Sequence, residues 1–338
     1  MRICYLLSHS ALMYSEVTLL QRLGHNVYLP LAEKQIEGSM SARRNIALDS
    51  HVMDVLDAYN PYQHRPSDRV INVLTEHFDL IIMCLIDMSF MKRIASLCNK
   101  PIFIRVFGRE HPANYASFLA NVKAHSNVNF LASYKQVIAH EPVATRNRFA
   151  FLPLPVNYHM SQYEGTWKGD VPSIMFVCSY IDHNPYYSDI YNAFKQDFGM
   201  FAHRVYGKQP AAGRLVAADA CIVPNCSDAQ YVAALQSHKV MFYHNREPRH
   251  IHYHPIEAVQ IGMPVVFMSG GLFDAFTDGK SSGRCTDIDE ARTKIARVMS
   301  DDRDFIERVI ADNRRVLEHF SEEQYKTHLD WILATHCI

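Results

Sequence analysis

The chain has 338 residues, 48% of them hydrophobic and 20% charged, a balance that builds packed cores and excludes an intrinsically disordered protein. Its 34 Lys and Arg stand against 35 Asp and Glu, so no net field recruits nucleic acid, and no nucleic-acid partner is expected. No apolar stretch approaches the ~20 residues of a membrane span, and the eight scattered cysteines, without a CxxC pair, fit a reducing cytoplasm better than a disulfide framework.

The opening MRICYLLSHSALMY has one basic residue and no small-residue cleavage site, and does not read as a signal peptide. Residues 2–8 (RICYLLS) are a short apolar run, the pattern of a strand buried on both faces. A helical stretch follows to Leu23 and stops at Gly24. Residues 26–31 (NVYLPL) are a second strand, and 32–68 are polar and irregular with room for helical pieces. Residues 79–86 (DLIIMCLI) give the strongest strand signal; 91–98 read as helix, and 101–107 (PIFIRVF), 127–132 and 149–153 as strands. Strands separated by helices predict a parallel sheet covered on both faces.

Residues 157–171 are polar, contain two glycines and lack periodicity, which marks a linker. The alternation then restarts. Strands are expected at 173–178, 202–206, 220–224 (ACIVP), 240–244 (VMFYH) and 263–268 (MPVVFM). Helices are expected at 190–198, 228–237, 255–261, 288–299 and 305–319. A last helix over 322–334 carries Trp331, with Tyr325, Leu329 and Ile332 at helical spacing.

The most informative stretch is YHPIEAVQIGMPVVF, residues 253–267. Pro255 suits the first turn of a helix, where its missing N–H costs nothing. A helix N-terminus offers N–H groups to an anion such as a diphosphate. Glu257 in that turn can accept hydrogen bonds from ribose hydroxyls, or it can simply favour the helix dipole by ~0.3–1 kcal/mol. Gly262 closes the helix.

Pro255, Glu257, Ala258, Gly262, Pro264, Val265 and Val266 resemble the P-x-E-A-x-x-x-G-x-P-V-V signature of the large retaining group of GT-B glycosyltransferases. MFVCSY, RVYGKQP and CIVPNCSDAQYVAALQSHKVMFYHN resemble the elements that lead into it, and LGHNVYLP and FLPLPVN resemble the first half of that family. The resemblance implies an α/β protein of two Rossmann-like domains with parallel sheets facing across a cleft. The acceptor-side domain would be residues 1–160 and the nucleotide-sugar-binding domain residues 170–318, with 319–338 packing back on the first. It implies metal-independent, retaining transfer of a sugar from a nucleotide-activated donor to a saccharide or other hydroxyl acceptor, with no further cofactor. Peripheral membrane contact stays open. So do a sugar-nucleotide epimerase or phosphorylase, and a non-catalytic partner subunit, on the same fold.

Two positions depart from the pattern. Arg249 stands eight residues before Glu257, where the retaining group carries a glutamate, and the nearest acid is Glu247. The family's basic pair for the diphosphate has no clean equivalent, which leaves Arg204, Lys208, Arg246 and Arg249, since guanidinium forks suit phosphate oxygens. Gly207 and His254 complete the candidate donor site; the His254–Pro255 pair resembles that of bacterial GT-B sialyltransferases. His250, His252 and His254 alternate and would share one face of a strand, but no carboxylate or cysteine joins them at ligand spacing, so no metal site is expected. In IRVFGREHP, Glu110 or His111 is the candidate general base. Arg105 and Arg109, with Ser8 and His9 after the first strand, fall on the acceptor side, at strand carboxyl ends. The DxD of Asp287 and Asp289 precedes a helix and reads as a cap. The absence of a P-loop, a G-x-S-x-G and a G-x-G-x-x-G after the first strand argues against an NTPase, a serine hydrolase and a typical NAD enzyme.

Overall fold

The computed structural model describes residues 1–6, 10–30, 42–60, 66–84, 93–96, 98–106, 126–209 and 213–337. The chain forms two compact units, one of Met1–His159 with Phe320–Ile338 and one of Met160–His319. Each is built on an all-parallel sheet.

The strands of the first unit are β1 (Arg2–Leu6), β2 (Asn26–Tyr28), β3 (Leu80–Cys84), β4 (Ile102–Val106), β5 (Val128–Ala132) and β6 (Phe149–Phe151), in the order β2-β1-β3-β4-β5-β6. β4 and β5 are buried at every position, as a sheet covered on both faces requires. The helix Asp68–His77 starts where the Ser67 hydroxyl accepts from the Val70 amide, and it turns Val70, Ile71, Val73 and Leu74 inward. It and the helix Ser50–Asp57 fall in or beside the stretch whose polar composition hid its periodicity.

One charged cluster lies wholly inside this unit. The Arg105 guanidinium on β4 is 0% exposed and sits 3.0 Å from Glu16 Oε1, on the helix Ser10–Arg22, also 0% exposed. Two phenols complete the carboxylate: Tyr5 of β1 donates to Oε2 at 2.5 Å, and Tyr325 of the last helix, Glu322–His336, donates to Oε1 at 2.9 Å. Arg105 also donates to the carbonyls of Leu152 and Pro153. Arg105, expected on the acceptor side, therefore holds the core together instead, because every direction open to its guanidinium is protein.

In the second unit the strands are β7 (Val171–Val177), β8 (His203–Tyr206), β9 (His238–Tyr243), β10 (Val265–Met268) and β11 (Arg284–Cys285), in the order β11-β10-β9-β7-β8. Phe176 stacks on Phe194 at 3.9 Å between centroids, and Phe198 meets Phe242 at 4.3 Å, which anchors the helix Pro185–Phe198 to the sheet. That helix begins five residues earlier than the periodicity suggests, at the Asn184 cap with Pro185 in its first turn.

Three sequence expectations change here. Residues 220–224 form no strand but a single parallel bridge, Val205 with Ile222. Asp219 turns the chain by accepting from the Cys221 amide at 2.8 Å, and Pro224 has no N–H to extend a ladder. The helix expected over 305–319 ends at Asn313 and continues as a 3₁₀ turn, Arg314–Phe320. The polar stretch 157–171 is tied down rather than loose: Trp167 Nε1 donates to the His238 carbonyl at 2.8 Å, and the amides of Trp167 and Lys168 donate to Ile261 and Gln236.

The buried cluster sets a stability test. Glu16→Ala leaves a guanidinium and two phenols without their acceptor and is expected to cost ~3–5 kcal/mol in urea denaturation. Tyr325→Phe removes one bond to a charged group and should cost ~1.5–3 kcal/mol. A loss under ~1 kcal/mol for Glu16→Ala would mean that the cluster does not hold the unit together.

Candidate functional site

A parallel sheet opens a crevice where connections from neighbouring strands leave in opposite directions, outside the carboxyl ends. In the second unit that place is between β7 and β9: the chain leaves β7 for β8 on one side and returns to β9 on the other. Beyond β7, Tyr180 has φ 58°, a left-handed backbone rare for a bulky residue, and its amide donates to the Lys208 carbonyl at 2.9 Å. Gln209, 1% exposed, gives its amide to the Cys178 carbonyl and takes the Ile181 N–H. Gly207, at φ +128°, lets the two strand ends close: a Cβ there would stand 2.7 Å from Ser179 Oγ and 2.8 Å from the Cys178 carbonyl oxygen. The carboxyl ends of β7 and β8 are thus clasped by backbone contacts.

Beyond β9, the loop to the next helix folds around Asn245, 7% exposed. Its amide nitrogen donates to the His250 carbonyl and the Tyr243 hydroxyl, and its oxygen accepts from the Glu247 amide. The helix Tyr253–Ile261 then starts at His252, whose own side chain makes no capping hydrogen bond, and ends at Gly262 at φ 95°. It begins two residues earlier than expected, so Pro255 is its third residue and Glu257 stands in its second turn. Glu257 is 6% exposed and accepts from the Tyr231 hydroxyl at 3.0 Å. Tyr231 lies on the helix Asp228–Ser237, which starts with a Ser227–Gln230 capping box.

Tyr243, His244, His252 and His254 pack ring against ring here, Tyr243 to His254 at 5.4 Å and His252 to His254 at 5.1 Å. Burial lowers His244 to about 4 and His252 to about 3, and drives His254 well below the ordinary histidine value; neighbouring histidines add to the last two. At neutral pH these imidazoles offer hydrogen bonds, not charge. Among the described residues the grouping with metal-ligand spacing is elsewhere, at His203, Asp219 and Cys221. There the Lys195 ammonium already stands 2.9 Å from both His203 Nε2 and Asp219 Oδ2.

Positive charge comes from the strand ends. Arg246 is exposed, with one N–H on the Thr286 carbonyl at 3.3 Å. Arg249 puts both Nε and its backbone amide on Glu247 Oε1, and that hydrogen bonding holds the Glu247 carboxyl below its ordinary range. Lys208 follows Gly207. Arg204 is not at this edge: it is the second residue of β8, bonds to the Ala220 carbonyl at 2.7 Å, and its charge reaches His238, the first residue of β9. Lys208, Gly207, Arg246, Arg249, His254 and Glu257 thus lie on segments beyond the strand carboxyl ends, whereas Arg204 and Arg105 do not. Ser8, His9, Arg109, Glu110 and His111 lie outside the described residues. Asp287 caps the helix Ile288–Met299 by accepting from the Glu290 amide. Sequence reading missed Tyr180, Gln209, Tyr231 and Asn245; only Asn245, an asparagine directly after a strand, carried a turn signal.

The chain matches no family model and no curated protein by sequence. Its fold, however, recurs in solved structures. HepE of Anabaena, solved with UDP-glucose, aligns over 99% of this chain and 100% of its own, at 10% identity and TM-score 0.59. A glycosyltransferase of Rickettsia africae aligns over 98% and 97%, at 10% identity and TM-score 0.63. Sucrose-phosphate synthase of Thermosynechococcus elongatus aligns over 99% and 98%, at 12% identity and TM-score 0.62. The fold is GT-B.

The depressed histidines make a pH test. Each is neutral when folded and free to protonate when unfolded, so its contribution is whole above about pH 6.5 and is lost as pH falls toward its folded value. For His244, stability should fall by at most ~1.4 kcal/mol per pH unit between about pH 6.5 and about pH 4. Melting curves at pH 7, 6 and 5 should show His244→Phe flattening this slope relative to the parent. Equal slopes would show that His244 is not held neutral by its surroundings.

Proposed function

We propose that this protein is a glycosyltransferase whose nucleoside-diphosphate-sugar donor sits at the carboxyl edge of the second sheet. The observation that carries this reading is the β7/β9 crevice, bordered by the start of the Tyr253–Ile261 helix and by a glutamate fixed through Tyr231. Glu257 would receive the ribose hydroxyls, already oriented by the phenol. The helix start, with Arg246, Arg249 and Lys208, would stabilise the diphosphate as the sugar–oxygen bond breaks and its electron pair stays on the phosphate oxygen. That arrangement supplies the required positive field without a metal. The acceptor oxygen then bonds to the sugar carbon and gives its proton to a base, for which Glu110 and His111 are the candidates. The signature around Glu257 favours retention of configuration. HepE is seen with UDP-glucose, so UDP-sugars come first among donors.

One observation favours a second reading, a non-catalytic partner subunit. Arg249 replaces the glutamate of the retaining pattern and is tied to Glu247. Release of UDP in the presence of an acceptor separates the two.

In a thermal-shift panel of UDP-, GDP-, dTDP-, ADP- and CMP-sugars, one donor at 100 times its dissociation constant should add ~2.7 kcal/mol of stability. Glu257→Gln should keep the unliganded melt and lose most of that shift; an undiminished shift would remove Glu257 from the donor site. Neutralising Arg246 and Arg249 together to glutamine should lower turnover ~100-fold or more with the melt unchanged. Full turnover in that variant would move the diphosphate to Lys208.

A further inference from the structure

The first unit has a recess at the opposite edge of its sheet, where the strands begin. Asp79 precedes β3, Lys100 precedes β4, and Asn127 and Asn129 mark the start of β5; Asn99 and His336 are also in the wall, with Met1, Pro101 and Cys337, around about 600 Å³. Strand carboxyl ends, where this architecture places its reaction, are not involved.

The lining is chemically selective. Asn127 is spent on structure, its amide donating to the carbonyls of Cys98 and Lys100, and Asp79 receives the Arg2 amide. Asn129 is different: it is 7% exposed, lines the recess, and its side-chain amide has no hydrogen-bond partner among the described residues. It pairs in register with Phe103, against which the His336 ring packs edge-on at 5.3 Å. Burial lowers the His336 pKa, so the imidazole adds no charge at neutral pH. Lys100 and Asp79 offset each other. Beside His336, at 6.2 Å, stands Trp331, an indole 55% exposed on the last helix.

We propose that this recess binds a neutral oligosaccharide, separately from any donor site. Amides that both donate and accept match sugar hydroxyls, which do the same. The exposed indole beside them offers an apolar face to the C–H side of a pyranose ring. A wall more polar than apolar disfavours an apolar ligand. The site would hold a part of a glycan that does not react.

Titration calorimetry of the full chain with maltopentaose, cellopentaose and chitopentaose tests this. At least one should bind, and Trp331→Ala and Asn129→Ala should each weaken it about tenfold or more. The thermal shift with UDP-glucose should be the same in Trp331→Ala as in the parent, which separates this site from the donor reading. Trp331 is exposed, so its variant folds even where Asn129→Ala does not. If none of the three sugars binds, or if Trp331→Ala binds as tightly as the parent, the proposal is wrong.

Discussion

Parallel strands can be joined only by crossover connections, and that constraint governs both units of this chain. Every crossover carries the chain over a face of the sheet, so the strands are buried and read as apolar runs. Every strand also ends on the same edge, so the connecting loops collect there. In the second unit the reversal between β7 and β9 leaves Tyr180 with left-handed backbone, Gly207 pressed on Cys178, and the Asn245 loop beside the start of the Tyr253–Ile261 helix. The polar residues of the candidate site are where they are because the loops that follow parallel strands all leave from this edge.

The same constraint explains the different fates of the arginines. Arg105 projects from a strand covered on both faces, where a guanidinium survives only if paired; Glu16 and the carbonyls of Leu152 and Pro153 supply the partners, and Tyr5 and Tyr325 complete the carboxylate. Arg246 and Arg249 follow a strand, in a loop, and keep contact with solvent. Nothing local in IRVFGREHP distinguishes the first case, since its charged partner lies on a helix near the start of the chain and its carbonyl partners follow β6. Strand positions, by contrast, are legible: β3, β4, β9 and β10 fall within a residue or two of their apolar runs, and Gly262 and Asp287 end and start helices as their residue types suggest. Residues 220–224 look like a strand because composition records apolarity and not the turn that Asp219 imposes. In the candidate site, Glu257 could be picked out by its motif, but not Tyr231, whose hydroxyl reaches it from another helix.

Electrostatics at the second sheet's edge are set by burial as much as by formal charge. A chain rich in histidine invites the picture of a surface that turns positive in mild acid. The imidazoles at the candidate site do the reverse, because packing against Tyr243, Phe176 and one another removes the water a proton would need. An anion held there would be met by arginine, lysine and backbone amides, with neutral imidazoles shaping the wall.

The placement of a nucleotide at this edge is open to direct measurement by hydrogen–deuterium exchange of the whole chain with and without UDP-glucose. Amides at 178–182, 207–209 and 244–256 should exchange more slowly with the ligand, since these three segments border the β7/β9 crevice. Protection absent from all three, or confined to residues of the first unit, would contradict a donor site at the second sheet.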